Sequence, residues 1–174
     1  MTEAVAARPG ATRPLSAAAA ARAIALALPL ALLAGAFGSE YLGHLVPCEM
    51  CWWQRYAHLA ALPLAAIAFT TPAGAPRARA FTLLAAAAIA VSGAIGVYHA
   101  GVELGIFQGF TTCTSTASAA TTAELLKQIM KAPLVRCDQV QWSLLGISMA
   151  GWNAILSLGG AGIIAFLTIN GGRR

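Results

Sequence analysis

Four stretches of the chain, at about residues 17–38, 52–70, 80–100 and 144–169, are nearly continuous runs of apolar residues. Each is close to the roughly 20 residues that an α-helix needs to cross a hydrocarbon layer. In lipid, a helix is how a single segment satisfies its own backbone hydrogen bonds. Pro29 and Pro63 fall inside the first two runs, where a proline bends a membrane helix without ending it. The first run also has the small residues of a leader cleavage site, "AGAFG", but its uninterrupted apolar part, residues 23–38, outlasts a usual leader core. It is therefore read as a retained helix. Only 10% of the residues are charged and 59% are hydrophobic, where soluble domains carry about a quarter charged. The expected fold class is an all-α membrane protein, one integral domain over residues 1–174. It forms a four-transmembrane-helix bundle whose two outer loops, about 39–51 and 101–143, carry the cysteine pairs.

A formal charge of +5 in a soluble chain would suggest nucleic acid. Here its placement speaks for membrane orientation instead, and no nucleic-acid role is expected. Arg8, Arg13, Arg22, Arg77, Arg79, Arg173 and Arg174 fall on the side that holds both termini, seven of the eleven positive residues. Positive residues collect on the cytoplasmic side, so both termini are cytoplasmic and Cys48, Cys51, Cys113 and Cys137 lie outside. The long outer loop contains "TTAELLKQIMKAP", a short amphipathic helix. Thr121 and Glu124 frame it as a capping box, Leu125, Leu126, Ile129 and Met130 form its apolar side, and Pro133 ends it. Such a helix lies flat on the bilayer or packs on the bundle; the pattern fits both.

The stretch "PCEMCWWQRY" puts two cysteines three residues apart at the head of the second run. Zinc sites bring two close pairs together. Cys113 and Cys137 are 24 residues apart with no histidine near them in sequence, and no metal is expected. Four cysteines allow three pairings, of which the local one, Cys48 with Cys51 and Cys113 with Cys137, costs least in loop closure. A bridge over two residues restricts almost no unfolded chain, whereas close pairs of this kind are commonly redox-active. Cys51 sits where the N-terminal end of a helix favours an anion, with Arg55 one turn on and His58 a further turn inward. Both the helix end and Arg55 are expected to favour a Cys51 thiolate. Arg55 reads either as a cation for that sulfur and an acceptor beside it, or as a side chain snorkelling to headgroups.

The features "PCEMCWWQR", the pair Cys113 and Cys137 in the second outer loop, and "CDQVQWSLLGISMAGWN" running into the last helix resemble the disulfide bond formation protein B family. "YHAGVE" resembles a form found in part of that family. The resemblance covers roughly residues 26–169 and implies an inner-membrane thiol:quinone oxidoreductase. It implies that a periplasmic thioredoxin-like thiol oxidase (DsbA-like) attacks the second-loop disulfide at Cys113. Cys137 then attacks Cys48, and Cys51 becomes the thiolate that faces a membrane quinone, ubiquinone or menaquinone, with Arg55 alongside. The localisation implied is the bacterial inner membrane, with the cysteine pairs in the periplasm.

Gln54, beside Arg55, and His58 and His99 are further candidates to line the quinone site, each with an alternative as an ordinary interfacial or interhelical polar residue. Trp52, Trp53, Tyr98 and Trp142 read as an aromatic belt, with Trp52 or Trp53 also placed to wall a quinone pocket. Gly93 and Gly96, with Ser157, Ala161 and Ala165, fit close helix packing. The threonine-, serine- and alanine-rich "TTCTSTASAATT" departs from the best-known form of the family and leaves open a dedicated donor in place of a general one. Two rivals stand beside this reading: a quinone reductase of the vitamin K epoxide reductase type, whose close cysteine pair comes late in the chain, and a non-enzymatic scaffold with stapled loops.

Overall fold

The computed structural model of the chain describes residues 16–109, 121–124, 126 and 135–171. Four long helices carry the fold: α1 (Ala17–Tyr41), α2 (Glu49–Ala68), α3 (Pro76–Glu103) and α4 (Met149–Asn170). Three of them, α1, α3 and α4, are long and apolar enough to cross a membrane. The chain is an integral membrane protein. The first half of α2 is more polar, and its Gln54, Arg55 and His58 are all buried.

The helix ends follow local chemistry. Ser16 caps α1, its Oγ accepting from the Ala19 N–H at 3.2 Å. Pro76 takes the first position of α3, where its missing N–H costs nothing. Gly105, at φ +71°, turns the chain away after α3. Ser148 caps α4 by accepting from the Gly151 N–H at 3.1 Å.

These boundaries correct the expected ones. Helix α2 begins at Glu49 rather than 52, because Cys48 caps it, and α3 runs from Pro76 to Glu103 rather than 80–100. The last helix starts at Met149 rather than 144. The five residues before it are spent on a two-stranded hairpin, β1 (Ser143–Leu144) antiparallel to β2 (Ile147–Ser148). Its turn uses Leu145 and Gly146, both at positive φ, as a two-residue hairpin requires. The Trp152 indole donates to the Leu144 carbonyl at 3.1 Å and ties this hairpin to α4.

Helix α3 packs most extensively, against α2 on one side and α4 on the other. The core is built of small residues, Ala25, Ala61, Ala65 and Ala85, around Ile89 and Ile164. Small side chains let membrane helices approach closely. A Cβ on Gly96 would stand 3.0 Å from the Ala150 carbonyl oxygen and 3.1 Å from the Ala154 nitrogen; one on Gly93 would meet Leu158 at 2.8 Å. Both glycines and the buried Ser157 and Ala161 are packing residues, as their pattern suggested.

Opposite the cysteine end, Arg22 donates to the Thr71 carbonyl at 3.0 Å and the Ala68 carbonyl at 3.5 Å, closing the C-terminal end of α2. Its guanidinium lies over the Phe69 ring. Residues 122–124 and 126 are helical, and the Glu124 N–H donates to Thr121 Oγ1 at 3.3 Å, one half of the expected capping box. Cys113, the helix-face residues Leu125, Ile129 and Met130, Lys127, Lys131, Pro133, and Arg8, Arg13, Arg173 and Arg174 lie outside the described residues.

Candidate functional site: a sulfur cluster at the mouth of an apolar cavity

The site forms where the N-terminal end of α2 meets the C-terminal end of α3. Cys48 is the N-cap of α2, and its sulfur accepts from the Cys51 N–H at 3.4 Å. The Cys48 and Cys51 sulfurs stand 2.9 Å apart. Cys137, fully buried in the turn ahead of β1, hydrogen-bonds Cys48 from the other side. The three sulfurs share a small buried cluster with Met50 and Val102. Cys48 is thus the middle sulfur, placed to exchange with either neighbour.

The environment divides the thiols. Hydrogen bonding to Cys137, then to Cys51, with burial, pushes the Cys48 thiol far up. Cys51, in the first turn ahead of the expected span at 52–70, is shifted down. The hydrogen bond from Cys48 is the main cause, and it outweighs burial. Arg55 also lowers it but is the weakest of the causes, which revises the weight placed on that cation.

The reason is visible in its partners. Arg55 is buried and forms an ion pair with Glu40 of α1. It donates to the Ala36 carbonyl at 2.9 Å, and its guanidinium lies over both the Phe37 and the Trp52 ring, at 4.8 and 4.9 Å. It does not snorkel. It clamps α1 to α2, and Trp52 serves this clamp.

Beside the sulfurs lies a cavity of about 700 Å³, within the usual range for small-molecule sites. Its lining is mostly apolar, from α1 and the start of α4. Cys48, Cys51, Gln54, Arg55, His58 and His99 all face it. Every candidate site residue within the described part is therefore brought to one place. Trp142 and Trp152 contribute to its walls, while Trp52 and Trp53 do not. Trp142 is thus more than part of an aromatic belt. Tyr98 stacks on Phe107 at 5.4 Å and donates to the Gln108 carbonyl at 2.5 Å.

A buried polar network joins the cluster to the helix interior. His99 Nε2 is 3.5 Å from the Cys48 sulfur, and His99 Nδ1 is 2.9 Å from Gln54 Nε2. Asn153 of α4 donates to Gln54 Oε1 at 2.7 Å, and its own Oδ1 lies 3.0 Å from His58 Nε2. Cys48, Cys51 and His99 present donor atoms within 4.8 Å of one another, enough for three ligands to a soft metal. Two sulfurs each about 2.3 Å from a tetrahedral ion would stand well apart, so the close sulfur approach suits exchange between them better than shared ligation.

Sequence reasoning missed Glu40, Glu103 and Asn153. Asn153 carried a signal, a lone amide inside an otherwise apolar span. Glu40 and Glu103 sit at helix ends in the sequence, where an acid is unremarkable until the fold buries it.

Taken together, the fold and site define a membrane-embedded thiol protein whose cysteines are arranged for disulfide chemistry. The family model "Disulfide bond formation protein DsbB" matches residues 18–167, and the chain belongs to that family. It is 29% identical over 132 residues to disulfide bond formation protein B of Marinobacter nauticus, covering 71% of this chain and 76% of that one. It is 25% identical over 139 residues to uncharacterized protein RP370 of Rickettsia prowazekii, covering 78% of each. No solved structure matches. Membership assigns the chain an oxidoreductase role in disulfide formation at the membrane.

Proposed function

We propose that this protein oxidises the dithiol of a thioredoxin-like partner outside the inner membrane and passes the electrons through two cysteine pairs to a membrane quinone. The observation that carries the reading is the row of sulfurs, Cys51, Cys48 and Cys137, beside a cavity lined mostly by apolar residues. The partner's thiolate attacks Cys113 and releases Cys137. Cys137 attacks Cys48, and the electron pair of the broken Cys48–Cys51 bond goes to Cys51. Cys51 is suited to leave, because a thiol of lowered pKa is the better leaving group.

The cavity fits a quinone headgroup and the start of its tail. It offers apolar walls, polar atoms from Gln54, His58 and His99, and the guanidinium of Arg55 at one side. A bound quinone supplies a two-electron acceptor. The chain's part is to hold the Cys51 thiolate against that space and to exclude bulk water. Helix α2 is read as a fourth span despite its polar first half. From Trp52 to Ala68, beyond the first turn that carries Cys51, it reaches about 25 Å, and its inward-facing polar groups find partners within the bundle. The cysteine end faces the periplasm, since Arg22, Arg77 and Arg79 mark the other end.

Purified protein in detergent, mixed with a reduced thioredoxin-like donor and a soluble quinone analogue, should bleach the quinone absorbance. Cys51→Ser should abolish it. Absence of turnover, or turnover that survives Cys51→Ser, overturns the reading.

A further inference from the structure

The polar network around His99 has a fixed direction. Asn153 Nδ2 lies 3.1 Å from the Ser92 carbonyl, which can only accept, so the nitrogen is on that side. Its other hydrogen goes to Gln54 Oε1 at 2.7 Å. The Gln54 amide is anchored the same way, since Gln54 Nε2 donates to the Met50 carbonyl at 3.3 Å. That leaves the second Gln54 N–H for His99 Nδ1 at 2.9 Å. Nδ1 must therefore accept, and in the neutral ring the proton sits on Nε2. Among the described residues two atoms face Nε2: the Cys48 sulfur at 3.5 Å and, less closely, Glu103 Oε1 at 3.8 Å. Glu103 and His99 are both nearly buried; their 3.8 Å separation is too long for a hydrogen bond, and the other Glu103 oxygen has no partner among the described residues.

We infer that Asn153 and Gln54 form a buried amide relay that holds His99 as the Nε2–H tautomer aimed at Cys48, so that His99 steadies the negative charge Cys48 takes on when its disulfide is broken. The inference rests on the thiol-exchange part of the proposed function. It assigns His99 to the sulfur, and Gln54 and Asn153 to positioning it. The step concerned follows the attack of Cys137 on Cys48: a second thiolate attacks Cys137 in the Cys48–Cys137 disulfide. A new S–S bond forms there, the bond to Cys48 breaks, and its electron pair goes to Cys48 Sγ. Nε2–H donates a hydrogen bond to that charge and keeps its proton; the proton that later neutralises Cys48 comes from water. A preorganised donor aimed at charge as it develops is worth far more than the same donor in water. Hydrogen bonds to Cys137 and Cys51, with burial, disfavour charge on Cys48 in the reduced site.

Two quinone-free measurements test this on the full-length protein. The first is the 15N spectrum of histidine-labelled protein, with the His99 signals assigned by substitution. The wild type should show a protonated Nε2 and a bare Nδ1. Gln54→Glu should protonate Nδ1, because a carboxylate there can only accept. The second is reduction of the Cys48–Cys51 disulfide by dithiothreitol in a C113S/C137S background. Cys51 is the more exposed sulfur, so access directs dithiothreitol to it and Cys48 leaves, although Cys51 is the better leaving group when an internal thiolate reaches Cys48. His99→Leu should slow this about 10- to 100-fold, and His99→Gln, which regains an N–H donor, should recover part of the rate. A wild-type proton on Nδ1, a Gln54→Glu spectrum unchanged from wild type, or equal rates for the Leu and Gln variants would overturn the inference. The wild-type spectrum decides even if a variant fails to fold. Because neither measurement contains quinone, failure of quinone turnover in the assay above leaves this result standing, and the reverse also holds.

Discussion

Glu40→Gln removes the negative half of the ion pair that fastens α1 to α2. Breaking a fully buried pair costs about 3–5 kcal/mol, because the surviving charge is left uncompensated. Arg55 has a side chain only 6% exposed, but Glu40 is 19% exposed, so solvent already shares part of the pair. Arg55 also keeps the Ala36 carbonyl and two ring faces, each cation–π contact contributing about 1 kcal/mol. Glutamine retains an oxygen able to accept. The expected loss is therefore about 2 kcal/mol. At about 2–4 °C per kcal/mol for a chain of this size, Tm should fall by about 4–8 °C.

The same change leaves the Arg55 charge unopposed near Cys51, where it now contributes least among the causes of that thiol's acidity. Cys51 should become more acidic still. Thermal unfolding in detergent measures the first effect. The pH dependence of Cys51 alkylation by iodoacetamide, on reduced protein, measures the second. An unchanged Tm together with a Cys51 midpoint that moves upward would refute the clamp and the electrostatic argument at once.

Four further outcomes are expected. Below the ordinary thiol value of 9.0, iodoacetamide should modify Cys51 and spare Cys48, with Cys48 reacting only as pH rises well beyond it; mass spectrometry of peptides reads the order. Gly96→Val should destabilise the α3–α4 contact by about 1–3 kcal/mol, since its Cβ meets backbone atoms that cannot rotate away; an unchanged unfolding midpoint counts against that packing. Asn153→Leu should cost about 2 kcal/mol, as it leaves the buried Gln54 Oε1 without its donor, again read from unfolding. Arg136 holds the Asp138 carboxyl below its ordinary 3.8. Any stability this pair adds is present above that value and lost as pH falls through the lowered one. Both groups are at the surface, so Asp138→Asn should leave Tm at neutral pH unmoved.

Helix number and approximate position were legible because long apolar runs admit one solution in lipid. The ends were less so. Cys48 as a cap, Pro76 as a first residue and the turn at Leu145 and Gly146 each moved a boundary by three to five residues, and none of them changes hydropathy. The site residues were legible as types, since cysteine, arginine and histidine stand out in a greasy chain. Their partners were not. Arg55 seemed to belong to Cys51 by helical spacing alone, yet a carboxylate fifteen residues earlier holds it. His99 and Gln54, 45 residues apart, meet only because α2 and α3 run side by side.

One consequence follows from the sulfur at the head of α2. In most helices the first turn is finished by an oxygen that never changes its bonds. Here the terminating atom is the one that trades partners in the exchange, so the helix start reports oxidation state. A change of bond at Cys48 should register as altered amide-exchange protection at Cys51, and the segment that carries Cys137 is tied to that event through the same sulfur.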